Sequence, residues 1–352
     1  MSGDDVAPIH AVHATAPVRV CDIGGWTDTW FARHGHVFSI AVHPGVTVEA
    51  RAYPRAARPH TVVVDAVDYG ETLVMGPGLP APARHRLLAA VIDEAAIPDD
   101  LAVEVSVTSG VPPGCATGTS AAVAVALIGA LDHLTATPRA PAEIAAAAHR
   151  VEVERLGLQS GVQDQLAAAH GGVSHIEVRA YPDARVHQIP LADRIRSELE
   201  RRLLLVYLGR AHHSSAVHER VVAELAGEGS GSPRLEALRR DALRAVEASA
   251  RGDWDALGRA MIESTDDQAA LHPSVVSDDA RRVIALAEAG GAIGWKVNGA
   301  GGEGGSLTLL CGAGADARRT LVGALGATDG TSVIPIRLSA QGLRRREGRL
   351  PP

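Results

Sequence analysis

The chain is almost without lysine: of its 34 basic residues only Lys296 is a lysine, and the rest are arginines. Its three cysteines, Cys21, Cys115 and Cys311, are odd in number, far apart and form no C-x-x-C pair. That leaves neither a disulfide framework nor a zinc site and predicts a reducing, cytoplasmic setting. Long apolar runs are missing as well. The longest, from Ala121 to Leu131, is too short to cross a bilayer and reads as a buried helix. Met1 to His10 carries acidic residues and no apolar stretch, which excludes a signal peptide. No basic stripe runs along the chain and the formal net charge is −7, so nucleic acid is not an expected partner. The run Arg344-Arg345-Arg346 reads as a short solvated end.

What is present is a chain of 352 residues, 46% of them hydrophobic, long enough for two domains with full cores. Composition shifts near residues 185–200, from Ala/Gly-rich segments to Arg/Glu-rich ones, which places the expected domains at 1–190 and 191–352. Strands are expected at 37–42 and 46–52, joined as a hairpin by His43-Pro44-Gly45, and at 61–67 and 72–75. Leu101, Val103, Val105 and Val107 alternate with polar or small residues, a half-buried strand. Helical spacing marks 84–96, 119–134, 141–156, 162–169, 214–225, 233–250, 254–263, 278–289 and 316–325. Further strands are expected at 173–178, 186–191, 203–208 and 332–338, and on either side of a glycine-rich loop within 294–311. The fold class is α+β, with mixed sheets and helices on one side.

Four short segments carry chemistry. In Pro112-Pro113-Gly114-Cys115-Ala116-Thr117-Gly118-Thr119-Ser120, a Gly/Pro loop follows a strand and opens a helix. The first amides of that helix lack intrahelical partners, and with the helix dipole they favour a phosphate. Gly114 and Gly118 let backbone approach the anion without a Cβ between, and Ser120 can present its hydroxyl to a phosphate-bound magnesium ion. The pattern is not G-x-x-x-x-G-K-[ST]. The run Gly299 to Gly305 holds five glycines broken by Ala300 and Glu303. It enters a strand rather than a helix, which argues against a dinucleotide fingerprint and for a loop packed close to a phosphate or substrate. The other two segments are Arg19-Val20-Cys21-Asp22-Ile23-Gly24-Gly25-Trp26-Thr27-Asp28 and Gly161-Val162-Gln163-Asp164-Gln165.

In this order and over this length the segments resemble the GHMP kinases, the family of galactokinase, homoserine kinase, mevalonate kinase and phosphomevalonate kinase. Gly24 to Asp28 and Gly161 to Gln165 are most similar to the members that act on fucose and on heptose 7-phosphate, which phosphorylate the anomeric hydroxyl. The resemblance implies an N-terminal S5-like domain with a left-handed β-α-β phosphate loop, and a C-terminal ferredoxin-like domain. It implies ATP and Mg2+, with Pro113, Gly114, Cys115, Ala116, Thr117, Gly118, Thr119 and Ser120 cradling the nucleotide. Asp164 takes the place of the catalytic base with Arg19 beside it. Ser120 and Glu152 take the places of the magnesium ligands. Gly25, Trp26, Thr27, Asp28, Gly161, Gly299, Ala300 and Gly301 border the sugar. The chain departs from the family in Ala116-Thr117, usually Gly-Leu, in Glu303, and in the bulky Thr29-Trp30-Phe31.

The residues themselves agree with that implication. Phosphoryl transfer needs a positioned hydroxyl, a charge clamp and a metal more than covalent chemistry. A carboxylate in the first turn of a helix, as at Asp164, is favoured by the dipole and can accept a hydroxyl proton. Trp26 and Asp28 suit a polyhydroxylated acceptor, one by its apolar face and the other by its acceptor oxygens. The expected partner is a small sugar or phosphosugar, with no nucleic acid and no membrane, and the expected state is a monomer or homodimer. Two other readings remain: a GHMP kinase for a non-sugar alcohol, and a ligand-binding regulator without catalysis. His212, His213 and His218 cluster as a polar helix start, and Arg210, His212, His213, Ser214 and Ser215 offer an anion site at a strand–helix junction.

Overall fold

The computed structural model describes residues 6–348 apart from 77, 78, 80, 96, 135–137, 212 and 213. Two sheets organise it. The larger is built on two long antiparallel strands, β1 (His10–Ile23) and β2 (Gly35–Pro54). Beyond β2 come β5 (Leu101–Ser109), then β3 (Val62–Ala66) and β4 (Glu71–Met75), with β3 parallel to β5 and the other pairs antiparallel. The other half of β2 pairs with β6 (Val173–Ala180), which pairs with β7 (Asp183–Gln188). Val103, Val105 and Val107 of β5 are buried, as their alternation predicts.

The expected hairpin at His43-Pro44-Gly45 is not formed. β2 runs through these residues as one strand, with β1 alongside both halves. Ala16 pairs with Val46 and Val18 with Val42, so β2 carries extra residues there as a bulge. The physical reason is a change of neighbour: Gly35–Ile40 pair with β6 and Val46–Pro54 with β5. Turn-forming residues serve a register break as readily as a reversal.

Helix α1 (Arg86–Ala95) packs against α2 (Thr119–Asp132), and α2 and α4 (Gln163–His170) pack on β1 and β2. The α2 run from Ala121 to Leu131 is buried throughout except Val123, so its apolar length is core, as expected. Between them, α3 (Pro141–Arg150) continues as a π turn over Val151–Arg155.

The smaller sheet is antiparallel in the order β11 (Ser332–Ile334), β8 (Leu203–Tyr207), β10 (Ser306–Cys311), β9 (Ala292–Val297). It is covered by α9 (Asp278–Ala289) and α10 (Ala315–Gly326). Preceding these are α5 (Asp193–Arg202), α6 (Ser214–Leu225), α7 (Pro233–Arg251) and α8 (Trp254–Leu271). The chain then returns to the larger sheet: β12 (Arg337–Leu338) pairs with β2, and β13 (Arg344–Glu347) with β1. The run Arg344-Arg345-Arg346 is therefore a paired edge strand, not a solvated end. Its partners, His13 to Thr15, give its backbone hydrogen bonds that its composition does not advertise. No helix is long and apolar enough to cross a membrane among the described residues, and all three cysteines are buried and free.

Candidate active site

The cleft lies where the N-termini of α2 and α4 meet the end of β1 and the loop after β9. It has a volume of about 370 Å³, within the range of small-ligand sites. Of the residues singled out in the sequence, Arg19, Trp26, Asp28, Gly114, Cys115, Ala116, Gly118, Thr119, Ser120, Glu152, Gly161, Asp164, Gly299 and Ala300 line it. Pro113, Thr117, Gly25, Thr27 and Gly301 do not. Thr27 is buried behind the wall, donating to the Gly24 carbonyl at 2.7 Å.

At the floor Arg19 grips Asp164, Nε to Oδ1 at 2.8 Å and Nη2 to Oδ2 at 3.2 Å. This is a two-pronged pair of the kind a planar guanidinium forms best. Arg19 is 4% exposed and its Nη1 also donates to the Ala116 carbonyl at 2.5 Å, tying the pair to the glycine-rich loop. Burial alone would lower the Arg19 pKa, but Asp164 and Asp22 outweigh it and hold the guanidinium above its ordinary value.

That loop takes left-handed backbone at Gly114, Ala116 and Gly118, with φ of 70°, 59° and 68°. Such turns make backbone concavities that bind anions. Gly118 is required twice over: its φ favours glycine, and a Cβ there would lie 3.0 Å from Asp164 Cγ. Ala116 holds a conformation its side chain disfavours at a cost of about 1–3 kcal/mol. Its carbonyl oxygen, bound by Arg19, is part of what holds it.

Glu152 sits on the π turn, a feature that recurs at functional sites. Its Oε2 accepts from Ser160 Oγ at 2.6 Å and from Gln165 Nε2 at 2.7 Å. Its Oε1 is buried with no hydrogen-bond partner among the described residues. Burial pushes Glu152 up to about 7; the Ser160 hydroxyl opposes this and Asp164 adds to it. Asp28, 1% exposed, accepts the Gln163 amide on Oδ2 at 3.0 Å. Burial pushes it up to about 6, against the Gln163 amide. Gly161 leaves it room, since a Cβ there would come within 2.0 Å of Asp28 Oδ2.

These features fit a magnesium-bound nucleotide. Magnesium takes one or two protein oxygens and completes its shell with phosphate and water, and the donor set here is the orphaned Glu152 Oε1 with the exposed Ser120 across the cleft. Among the described residues no group of three or more His, Cys, Asp or Glu is placed to enclose a metal.

The second glycine-rich run is fastened to β1. The Gly299 amide donates to Asp22, to Oδ1 at 3.1 Å and Oδ2 at 3.0 Å, and the Cys21 amide donates to Asn298 Oδ1 at 3.0 Å. Ser306 Oγ donates to the Cys115 carbonyl at 2.5 Å. Lys296 does not line the cleft. It is 1% exposed and donates to Gln268 Oε1 at 2.6 Å and to the Val297 carbonyl, while Gln268 Nε2 donates to the Gly299 carbonyl at 2.7 Å. Glu303 points away from the cleft and pairs with Arg210 at 2.9 Å.

Of the histidine cluster, His212 and His213 lie outside the described residues. Arg210 is engaged by Asp279 and Glu303. His218 lines the cleft, its ring edge-on to Trp26 at 4.7 Å between centroids. Thr29, of the bulky run after the first motif, lines it too, and the sequence reading missed Leu158, Gln159 and Ser160, which also do. Ser160 was findable, standing immediately before Gly161. Leu158 and Gln159 carry no signal of their own.

Residues 85–172 match the family described as GHMP kinases N terminal domain. D-glycero-alpha-D-manno-heptose 7-phosphate kinase of Campylobacter jejuni is 30% identical over 196 residues, 56% of this chain and 58% of that protein. Mevalonate kinase of Methanothermobacter thermautotrophicus is 31% identical over 222 residues, 61% of this chain and 65% of that one. The matched region thus spans less than two thirds of either relative. A solved D-glycero-D-manno-heptose 1-phosphate kinase from Bacteriodes thetaiotaomicron superposes with a TM-score of 0.71 at 19% identity, over 95% of this chain and 98% of that one. The α+β fold is therefore that of the GHMP kinases over nearly the whole chain.

Proposed function

We propose that this chain, a GHMP kinase by its N-terminal domain and its fold, transfers the γ-phosphate of ATP to a sugar hydroxyl, the anomeric hydroxyl of a heptose 7-phosphate or a related sugar. The observation that carries the reading is the Arg19–Asp164 pair set against the phosphate-binding loop, with Gly118 in contact with Asp164. In that arrangement the group that takes a proton and the amides that take a phosphate face one point.

Each residue then has a task. The amides at the start of α2 and the left-handed loop hold the phosphates. Glu152 Oε1 and the Ser120 hydroxyl hold Mg2+, which supplies charge neutralisation on the phosphate oxygens. Asp164 Oδ1 and Oδ2 orient the acceptor hydroxyl and receive its proton, while Arg19 holds the carboxylate in place from both oxygens. Asp28 accepts from sugar hydroxyls, and Trp26, whose Nε1 is buried without a partner among the described residues, donates to one. His218 closes the wall beside Trp26. Among the cleft's described lining residues Arg19 is the only Arg or Lys and Asp164 occupies it, which favours a polyhydroxylated reacting end over a carboxylate-bearing one and leaves a 7-phosphate to be held by groups outside that lining. We also place the division between the two units near residue 190, as 1–190 and 191–352, with β12 and β13 crossing back. The compartment proposed is the cytoplasm.

The test is ADP release with Mg-ATP against free and phosphorylated sugars, with homoserine and mevalonate alongside. Turnover with a phosphosugar and an acid-labile product supports the reading; turnover with mevalonate or homoserine alone overturns the substrate class. Asp164→Asn should lower kcat by about 10²–10⁴-fold and leave ATP binding intact. Turnover near the wild-type rate would remove Asp164 as the base.

A further inference from the structure

A cavity larger than the cleft lies elsewhere, where α2 and α4 end. Its volume is about 1110 Å³, and Arg196, Arg344, Arg345, Arg346, His133 and His170 line it. No carboxylate is among its described lining residues, in a chain whose net charge is −7. Most arginines of this protein are answered by an acid, as in Arg58–Glu104, Arg155–Glu94 and Arg239–Glu236. Arg196, Arg344 and Arg346 form no ion pair among the described residues. Arg345 is the exception, its Nη1 3.6 Å from Asp132 Oδ2 and its Nη2 donating to the Arg139 carbonyl at 3.1 Å, while His133 Nδ1 is buried with no hydrogen-bond partner among the described residues. Two acids beside the cavity are engaged: Asp132 accepts from Arg139 Nε at 2.7 Å, and Glu200 accepts the Leu338 amide at 2.8 Å. Burial lowers the His170 pKa, and the arginines carry positive charge throughout the physiological range.

The cavity is joined to the catalytic cleft by two rods. α2 carries the phosphate loop at one end and His133 at the other; at 1.5 Å per residue it is about 20 Å long. α4 carries Asp164 at one end and His170 at the other, about 9 Å apart. The segment from Leu338 to Arg346 straps their far ends. The Leu343 amide donates to the Ala169 carbonyl at 3.1 Å, and the Gly172 amide donates to the Ser339 carbonyl at 2.8 Å. Leu343 fills the space beside Gly129 of α2, where a Cβ would come 2.8 Å from Leu343 Cδ2.

We propose that this cavity is a second ligand site for a small molecule bearing two or more phosphate groups, coupled to the cleft through α2 and α4. Guanidinium groups without partners are the residue type that binds phosphate oxygens in pairs. The lining has no Phe, Tyr or Trp, so no aromatic platform favours a stacked base and the phosphates carry the recognition. Coupling requires only that the ligand bind more tightly to one placement of the strap and helices than to another.

Pyrophosphate is the probe, with the full chain and no metal. Hydrogen–deuterium exchange should show protection of residues 338–348 and of the turn at 170–173. Arg196→Gln with Arg346→Gln, both at exposed positions, should abolish that protection and raise the pyrophosphate Kd at least tenfold without lowering the thermal midpoint. Protection confined to 113–120, none at all, or an unchanged Kd in the double variant would overturn the site. Saturating pyrophosphate should change ATP affinity by about fivefold or more in the wild type and not in the double variant. An equal ATP affinity in both conditions would overturn the coupling. These readouts measure binding, so they stand or fall independently of the sugar kinase reading.

Discussion

The two glycine-rich loops look alike in composition and are used in opposite ways. In the loop at 114–118, left-handed backbone faces the cleft, and the absent Cβ of Gly118 leaves room for the Asp164 carboxylate. In the run 299–305 the glycines face protein. A Cβ on Gly301 would come 2.2 Å from the Val275 carbonyl, and one on Gly304 2.4 Å from that of Arg210. The Gly302 amide donates to Val275 O at 2.6 Å and that of Gly305 to Arg210 O at 3.0 Å. Only Gly299 and Ala300 reach the cleft. One loop uses its freedom to line the cleft and the other for its own packing, and glycine content does not tell them apart.

The largest effects should fall on a matched pair of glycine-to-alanine changes. Gly301→Ala, at φ 70° with backbone in the way, should destabilise the protein by about 3–5 kcal/mol, read as a lowered midpoint in urea. Gly118→Ala, at φ 68°, meets a side chain rather than backbone. It should cost about 1 kcal/mol in stability but displace Asp164, lowering kcat on the order of 10²-fold. If both variants lost stability equally and turnover equally, the two loops would have one role and the contrast would be broken.

Next in size is Glu152, which faces the first loop across the cleft. Glu152→Gln should raise the Mg2+ concentration for half-maximal turnover by at least about tenfold. The same side chain gives a pH signature. Its folded pKa, about 7, lies above the ordinary glutamate value of about 4.3, so the folded state holds a proton that the unfolded chain releases. The stability this contributes is present below about pH 4.3 and is lost as pH rises through 7. Asp28, at about 6, adds in the same direction over a window that starts near 3.9. The metal-free thermal midpoint should therefore fall between pH 4.5 and 7, and less so in Glu152→Gln. A midpoint that rises over this window would show that both acids are ionised in the fold.

Much of the site was legible because each segment pairs a residue type with a local backbone demand. Gly118 before Thr119-Ser120, and Gly161 before Asp164, mark helix starts aimed at a ligand. What was not legible depends on distant partners. β1 went unread because its burial comes from β2 and the helices over it, not from a period of its own. His43-Pro44-Gly45 read as a reversal because the change of partner from β6 to β5 is set some 60 to 130 residues away in sequence. Arg344-Arg345-Arg346 read as solvated because composition cannot show that β1 has a free edge. Gly25 and Thr27 sit in a motif that points at the cleft, yet the turn they build aims Trp26 and Asp28 and leaves their own atoms behind the wall.

The smallest effect on turnover should come from Lys296, and it sharpens the contrast most. A lone lysine three residues before a glycine-rich loop invites a phosphate role. The structure instead buries its ammonium against Gln268 and the Val297 carbonyl, with Gln268 holding the Gly299 carbonyl. Burial lowers its pKa, with Asp22 opposing. Lys296→Met keeps the length and removes the charge. It leaves Gln268 Oε1 unpaired, which costs about 1–3 kcal/mol, while the Gln268 donor to Gly299 remains. The expected result is a lowered midpoint with the KM for ATP unchanged and kcat reduced no more than about threefold. A lysine that touched phosphate would instead raise the KM for ATP at least tenfold, the equivalent of about 1.4 kcal/mol in binding. That outcome would bring the second loop into the nucleotide site.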